Sequence, residues 1–224
     1  MTTKWVRVWF VATVLCVVAG VILSVITAVH NQQGHFHSGV ELGFNTFNFF
    51  TIQSNLIVGA TSLLRATKVE RSSLALKTFR LIGLVAITLT GVIYHVALAR
   101  LLELDGWVWL SNQLVHTVVP VLAVVGWLAI GLRGLTSARI AKLSILFPAG
   151  WLGFTLIRGA MVHWYPYPFI DVTKLGYAKT ILNCCWVSLL LLGAAAGFTA
   201  WDAHLGRRAA PATVSRSSVA AKTD

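Results

Sequence analysis

The chain has 224 residues, 57% of them hydrophobic and 11% charged, with a mean hydropathy of +0.77 and a formal net charge of +11. Soluble domains carry about 25% charged residues, so this composition excludes a soluble globular domain and indicates an integral membrane protein. The positive charge does not signal nucleic-acid binding, because the basic residues are dispersed over short loops between apolar runs, a pattern of membrane topology and of contact with anionic lipid.

Six apolar runs follow one another. Residues 5–29 begin close to Lys4 and Arg7. A signal peptide has an apolar region of about 7–15 residues; this run exceeds that and reads as the first span. A polar loop with His30, His35, His37 and Glu41 leads to a second span over 44–64. A basic loop holds Arg65, Lys68, Arg71, Lys77 and Arg80 against one acid, Glu70. The third span covers 81–98. Arg100, Glu103 and Asp105 form a mixed loop, and Trp107 and Trp109 mark a membrane interface before the fourth span at 110–132. Arg133, Arg139 and Lys142 precede the fifth span at 143–163. The aromatic, proline-broken segment 164–169 cannot continue that helix. The sixth span covers 177–200.

The expected fold is therefore all-α and polytopic, with six transmembrane helices over 1–200 and a basic, disordered tail over 201–224. The N-terminus, the second and fourth loops and the tail hold 14 of the 18 Lys and Arg, which puts both termini in the cytoplasm. Anionic lipid is the expected partner on that face. Cys16, Cys184 and Cys185 all lie in apolar runs without metal-ligand spacing, and read as small buried hydrophobes.

The stretch 48–55, Asn-Phe-Phe-Thr-Ile-Gln-Ser-Asn, puts five polar side chains into the second span. Hydrocarbon cannot satisfy them, so each needs a protein or water partner. Asn48, Thr51 and Asn55 recur at helical spacing and form one stripe. With the termini inside, Asn48, Thr51, Gln53, Asn55, His95, Asn112, Gln113, His116, Arg158 and His163 all fall in the outer half of the membrane. The cytoplasmic halves are nearly free of polar groups, which favours a pocket open to the outer side over a through-pore. Thr51 and His116 lie about 10 Å below the outer end of their spans, so they can meet across a helix contact as a nucleophile–base pair. Against this, a membrane Thr commonly bonds its own i−4 carbonyl. Arg158 at depth needs a partner: Asp171, Asp105, Glu103 or a substrate carboxylate. Pairing of His95 with His116 or His163 around a haem has no supporting motif, and neither a cofactor nor a metal is expected.

The run Phe50-Thr51, the segment Val115-His116-Thr117-Val118-Val119-Pro120 and the segment Tyr167-Pro168-Phe169 resemble the androgen-induced-gene and androgen-dependent TFPI-regulating proteins. Over 5–200 the chain is similar in order and spacing to their bacterial six-transmembrane relatives. The resemblance implies a membrane hydrolase of fatty acid esters, such as esters of hydroxy fatty acids, with Thr51 as nucleophile and His116 as its partner.

On this reading a lipid ester enters from the outer leaflet. Thr51 and His116 are the catalytic residues. Asn48, Gln53, Asn55, His95, Asn112, Gln113 and Arg158 bind substrate, with Gln53, Asn55, Asn112 or Gln113 donating to the oxyanion and Arg158 holding a free carboxylate. No acidic residue is placed to orient His116. The alternative expectation is a non-enzymatic membrane protein whose polar layer binds a lipid or small solute, or holds helices together.

Overall fold

The long apolar runs bury their backbone polar groups in helical hydrogen bonds, as hydrocarbon requires. The structure is a computed structural model that describes residues 3–31, 35–130 and 134–209. Among these residues every regular element is helical. Helix α1 (Thr3–Asn31) is followed by the short α2 (Gly39–Thr46), by α3 (Phe50–Thr67) and by α4 (Leu74–Ile93). Helix α4 runs on through a π-helical turn, Tyr94–Leu98, and a 3-10 turn, Ala99–Leu101. Helix α5 (Gly106–Gln113), a second π-helical turn (Leu114–Val118) and α6 (Val119–Ile130) form one rod. Helices α7 (Ala138–Ser144) and α8 (Leu146–Val162) meet at Ile145, and the 3-10 turn Pro168–Ile170 leads into α9 (Val172–Ala209).

Among the described residues, five stretches are long and apolar enough to cross a membrane: Thr3–Asn31, Leu74–Leu101, Gly106–Ile130, Ala138–Val162 and Val172–Arg207. Helix α3, at 18 residues, is the exception. Its Gln53, Ser54, Asn55 and Arg65 lower its hydropathy. The expected second span of 44–64 is in fact split. Phe44 belongs to α2, Asn48 lies in the connecting turn, and Phe49 is extended (φ −70°, ψ 131°). Asn48 therefore does not share a helical stripe with Thr51 and Asn55. Several helices also outrun the apolar cores that signal them. Lys77 and Arg80 lie in the first turns of α4, and Arg139 and Lys142 in α7.

The expectation of a disordered tail from Trp201 is corrected over 201–209. Helix α9 continues through these residues, and the buried Asp202 accepts hydrogen bonds from Thr136 N at 2.9 Å and Thr136 Oγ1 at 2.8 Å. These bonds tie the end of α9 to the chain before α7. The rest of the expected tail, 210–224, lies outside the described residues, as does Arg133.

Helix α4 is the centre of the bundle: 61% of its most apolar window is buried, against 6% for α9. Val17, Val21, Ile52, Val58, Ile87, Val115 and Val119 form one core among α1, α3, α4 and the α5–α6 rod. A second core joins Leu81, Val85, Ile140 and Ala195 from α4, α7 and α9. Small residues permit the closest crossings, as in membrane bundles generally.

The segment 164–170 returns across the end of the bundle that carries the polar residues. His163 ends α8 in the left-handed region (φ 52°). Tyr165 then packs under α8 so tightly that a Cβ on Gly159 would collide with its ring. Asn183 Nδ2 donates to Phe169 O at 2.8 Å. Asp171 starts α9 by accepting from Thr173 N at 3.0 Å and from Thr173 Oγ1, with Lys174 Nζ at 3.5 Å. Burial works to raise the Asp171 pKa, but these hydrogen bonds and the Lys174 ammonium outweigh it and hold the carboxyl below its usual range.

A Cβ on Gly59 would lie 2.9 Å from Val17 Cγ1, between α3 and α1. Gly59→Val is expected to cost about 1–3 kcal/mol through overpacking, read as a lower melting temperature in detergent. Gly193→Ala, where a Cβ meets nothing within 4 Å, is expected to melt within about 0.5 kcal/mol of wild type.

Candidate functional site

Helix α3 starts inside the bundle, because α2 and its turn lie ahead of it in the chain. That start puts Thr51 in the first helical turn, where backbone N–H groups have no intrahelical acceptor and the helix dipole is positive. Its backbone is fixed from behind. Thr51 O accepts from Ser54 Oγ at 2.9 Å and from Asn55 Nδ2 at 2.8 Å. The buried Asn55 also donates to Val115 O at 3.1 Å, which joins α3 to the π-helical turn of the neighbouring rod.

That turn carries His116. Pro120 follows four residues later and has no N–H to offer the His116 carbonyl, a local reason for the helix to widen there. Thr51 Oγ1 lies 3.2 Å from His116 Nε2. His116 Nδ1 lies 3.2 Å from Asn112 O. A carbonyl only accepts, so Nδ1 carries the proton and Nε2 presents its lone pair to the Thr51 hydroxyl. Tyr94, from the other π-helical turn, stacks on the imidazole with ring centroids 4.3 Å apart and planes at 24°.

A third group meets Thr51. Tyr167 OH lies 3.2 Å from Thr51 Oγ1 and accepts the Thr51 N–H at 3.2 Å. The phenol ring is held by Phe49, Trp151 and Phe169, at centroid distances of 5.8, 5.9 and 5.3 Å. The resulting chain is consistent in its protons: Tyr167 O–H to Thr51 Oγ1, Thr51 O–H to His116 Nε2, His116 Nδ1–H to Asn112 O.

Thr51, His116, Tyr167 and Leu98 are the residues common to the walls of two cavities. One, of about 390 Å³, is an apolar chamber bounded by α4, α8 and α9. The other, of about 520 Å³, is a vestibule bounded by α1, α2, α5 and the segment after α8, with Asn45, Thr46, Ser111 and Asn112 in its wall.

Of the residues expected to bind substrate, only Asn112 lines either cavity. Asn48 Nδ2 donates to Asn45 Oδ1 at 3.2 Å, and its carbonyl accepts from Trp151 Nε1 at 3.0 Å. Gln53 Nε2 donates to Phe47 O at 3.0 Å. Asn55 spends its donors on backbone carbonyls. Gln113 Oε1 accepts from Thr117 Oγ1, which in turn pairs with the exposed His95, a chain separate from Thr51. The donors of Asn55 are therefore both engaged, and Gln53, with one engaged, lines neither cavity, so neither amide is placed for an oxyanion. Arg158 Nη2 donates to Asn45 Oδ1 at 3.0 Å, and the guanidinium lies 5.4 Å from the Phe36 ring and 5.6 Å from that of Trp164. Neutral and aromatic groups thus replace the acid expected beside Arg158; Asp171 pairs with Lys174 instead.

Tyr167, Tyr94 and Asn45 have structural roles here that reading the sequence did not assign. Tyr167 lies 116 positions from Thr51, and no spacing rule links them. The orienting group for His116 is a main-chain carbonyl, which no residue pattern displays.

Comparison with protein-family models, with characterised proteins and with solved structures finds no match to this chain.

Asn55→Ala removes the hydrogen bond to Thr51 O within α3 and the one to Val115 O that joins α3 to the neighbouring rod. It is expected to lower stability by about 1–3 kcal/mol, measured by thermal denaturation in detergent.

Proposed function

We propose that this protein is a multi-pass membrane hydrolase of fatty acid esters, with Thr51 as nucleophile and His116 as general base. The observation that carries this reading is the 3.2 Å contact between Thr51 Oγ1 and His116 Nε2, with Nδ1 committed to Asn112 O. A hydroxyl beside a correctly tautomerised imidazole, opening onto a cavity, is the minimal apparatus for acyl transfer. The resemblance around Phe50-Thr51 and Val115-His116-Thr117 points to the same two residues.

The chemistry balances as hydrolysis. Thr51 Oγ1 attacks the ester carbonyl carbon while its proton passes to His116 Nε2. A carbonyl oxygen that displaces Tyr167 OH from the Thr51 N–H would meet that N–H at the positive end of α3, with the phenol O–H beside it. Both stabilise the developing oxyanion. The C–O bond to the alcohol then breaks, and His116 returns the proton to the leaving alkoxide. Water attacks the threonyl ester with His116 again as base, releasing the fatty acid and free Thr51. Asn112 O takes the part that a carboxylate plays in other triads, holding ring orientation and tautomer. A neutral carbonyl stabilises the imidazolium less than a carboxylate does, so turnover is slow.

The proposed topology has six crossings, α3 being the polar one, with both termini cytoplasmic and the Thr51 end of the bundle outside. The distribution of basic residues supports it. Both cavities then open toward the outer half of the bilayer, and anionic lipid meets the basic cytoplasmic face. The contrasting reading, a non-enzymatic lipid-binding protein, draws on the same helix-joining bonds of Asn55.

Purified protein in detergent is expected to react covalently with a fluorophosphonate probe. Thr51→Ala and His116→Ala, matched for folding, are expected to lose at least about 100-fold of the labelling rate. A folded wild type that does not label supports the non-enzymatic reading instead. Alkaline phosphatase fused after the segment 102–105 is expected to be active, and fused after 68–73 inactive; the reverse pattern contradicts the orientation.

A further inference from the structure

We infer that the two cavities divide the substrate between them: a single acyl chain in the chamber, and an uncharged, hydroxyl-bearing alcohol of the monoacylglycerol class in the vestibule. This rests on the hydrolase reading of Thr51 and His116 and adds what the site selects.

The chamber fits one chain. Its walls on α4 from Val85 to Ile93, on α8 from Pro148 to Leu156 and on α9 from Cys184 to Leu192 each span about 12 Å at helical rise. Its lining is almost wholly apolar, so a second polar headgroup has no partner there. The reacting carbonyl belongs where the two cavities meet, at Thr51 and His116.

The vestibule fits a neutral alcohol. Among the described residues its wall holds no Lys, Arg, Asp or Glu. Arg158 is not part of the wall; its contacts are Asn45, Phe36 and Trp164, all three of which are. A carboxylate brought into this space meets no permanently charged cation; the basic groups in the wall are the imidazoles of the exposed His35 and of His116. The wall also holds an unmet demand of the opposite kind. Asn112 Oδ1 is buried and has no hydrogen-bond partner. It is an acceptor on the residue whose main chain orients His116, and it calls for a donor. Once the Asn112 side chain turns this oxygen toward the vestibule, the hydroxyls of a glycerol or similar polyol supply one; a carboxylate supplies only more acceptors.

The test uses two non-hydrolysable ethers with the same alkyl chain, one ending in glycerol and one in a carboxylate. Binding to the folded full chain is read by native mass spectrometry. The glycerol ether is expected to bind about 10-fold more tightly, a margin of the size one hydrogen bond gives. Asn112→Ala, which keeps the main-chain carbonyl, is expected to erase most of that margin. Ser188→Trp, which fills the chamber, is expected to weaken long-chain ethers more than short ones. Tighter binding of the carboxylate ether, with the preference removed by Arg158→Gln, overturns the assignment, as does chain-length dependence indifferent to Ser188→Trp. Hydrolysis of the matching monoacylglycerol is scored separately. Ether binding as expected, without hydrolysis or probe labelling, upholds the cavity assignment and sinks the hydrolase reading alone.

Discussion

The His116 ring has two nitrogens and two partners, Asn112 O and Thr51 Oγ1, each at 3.2 Å. The first partner can only accept, so it determines what the second meets: a lone pair facing a hydroxyl. The rest of the site depends on that asymmetry. Tyr94 lies flat against the ring, and Asn55 ties the carbonyls of Thr51 and Val115 together, so that helix α3 and the rod bearing His116 keep their register. Were Nδ1 to lose its acceptor, the ring could turn or change tautomer, and the hydroxyl would lose the lone pair it faces.

The backbone builds this arrangement as much as the side chains do. Two π-helical turns, Tyr94–Leu98 and Leu114–Val118, bring Tyr94 and His116 together. Such widened turns recur at functional sites because they reorient side chains that a regular helix would stack elsewhere. The start of α3 supplies the remaining electrostatics through the Thr51 N–H, which lacks an intrahelical acceptor and donates to Tyr167 OH in a positive field. A site composed from helix irregularities needs few special residues, in keeping with a chain so poor in charged groups.

The membrane character was legible because it resides in composition and in run length. The meeting of Thr51 with His116 was anticipated by counting helical rise along the two spans, although the break at Phe49 means that the count from residue 44 to Thr51 does not follow one helix. Other features lay beyond that reasoning. A continuous apolar run hides the break at Phe49, since nothing in Asn48-Phe49-Phe50 forbids a helix. The helix ends were misplaced because Lys77, Arg80 and Arg139 are helical in spite of their charge. Polarity identified which residues need partners, but not which partners: the Nε2 of Gln53 and the Nδ2 of Asn55 donate to main-chain carbonyls, while Tyr167 arrives from a segment that the sequence marks only as an aromatic, proline-broken connector.

A covalent intermediate is the central consequence of this account. The most direct measurement is peptide mass mapping of the purified protein after rapid acid quench from a monoacylglycerol or related fatty acyl ester. The account predicts an acyl adduct on Thr51 that appears in wild type and is absent in Thr51→Ala. Ester hydrolysis that persists undiminished in Thr51→Ala, with no adduct on Thr51 in wild type, would contradict it.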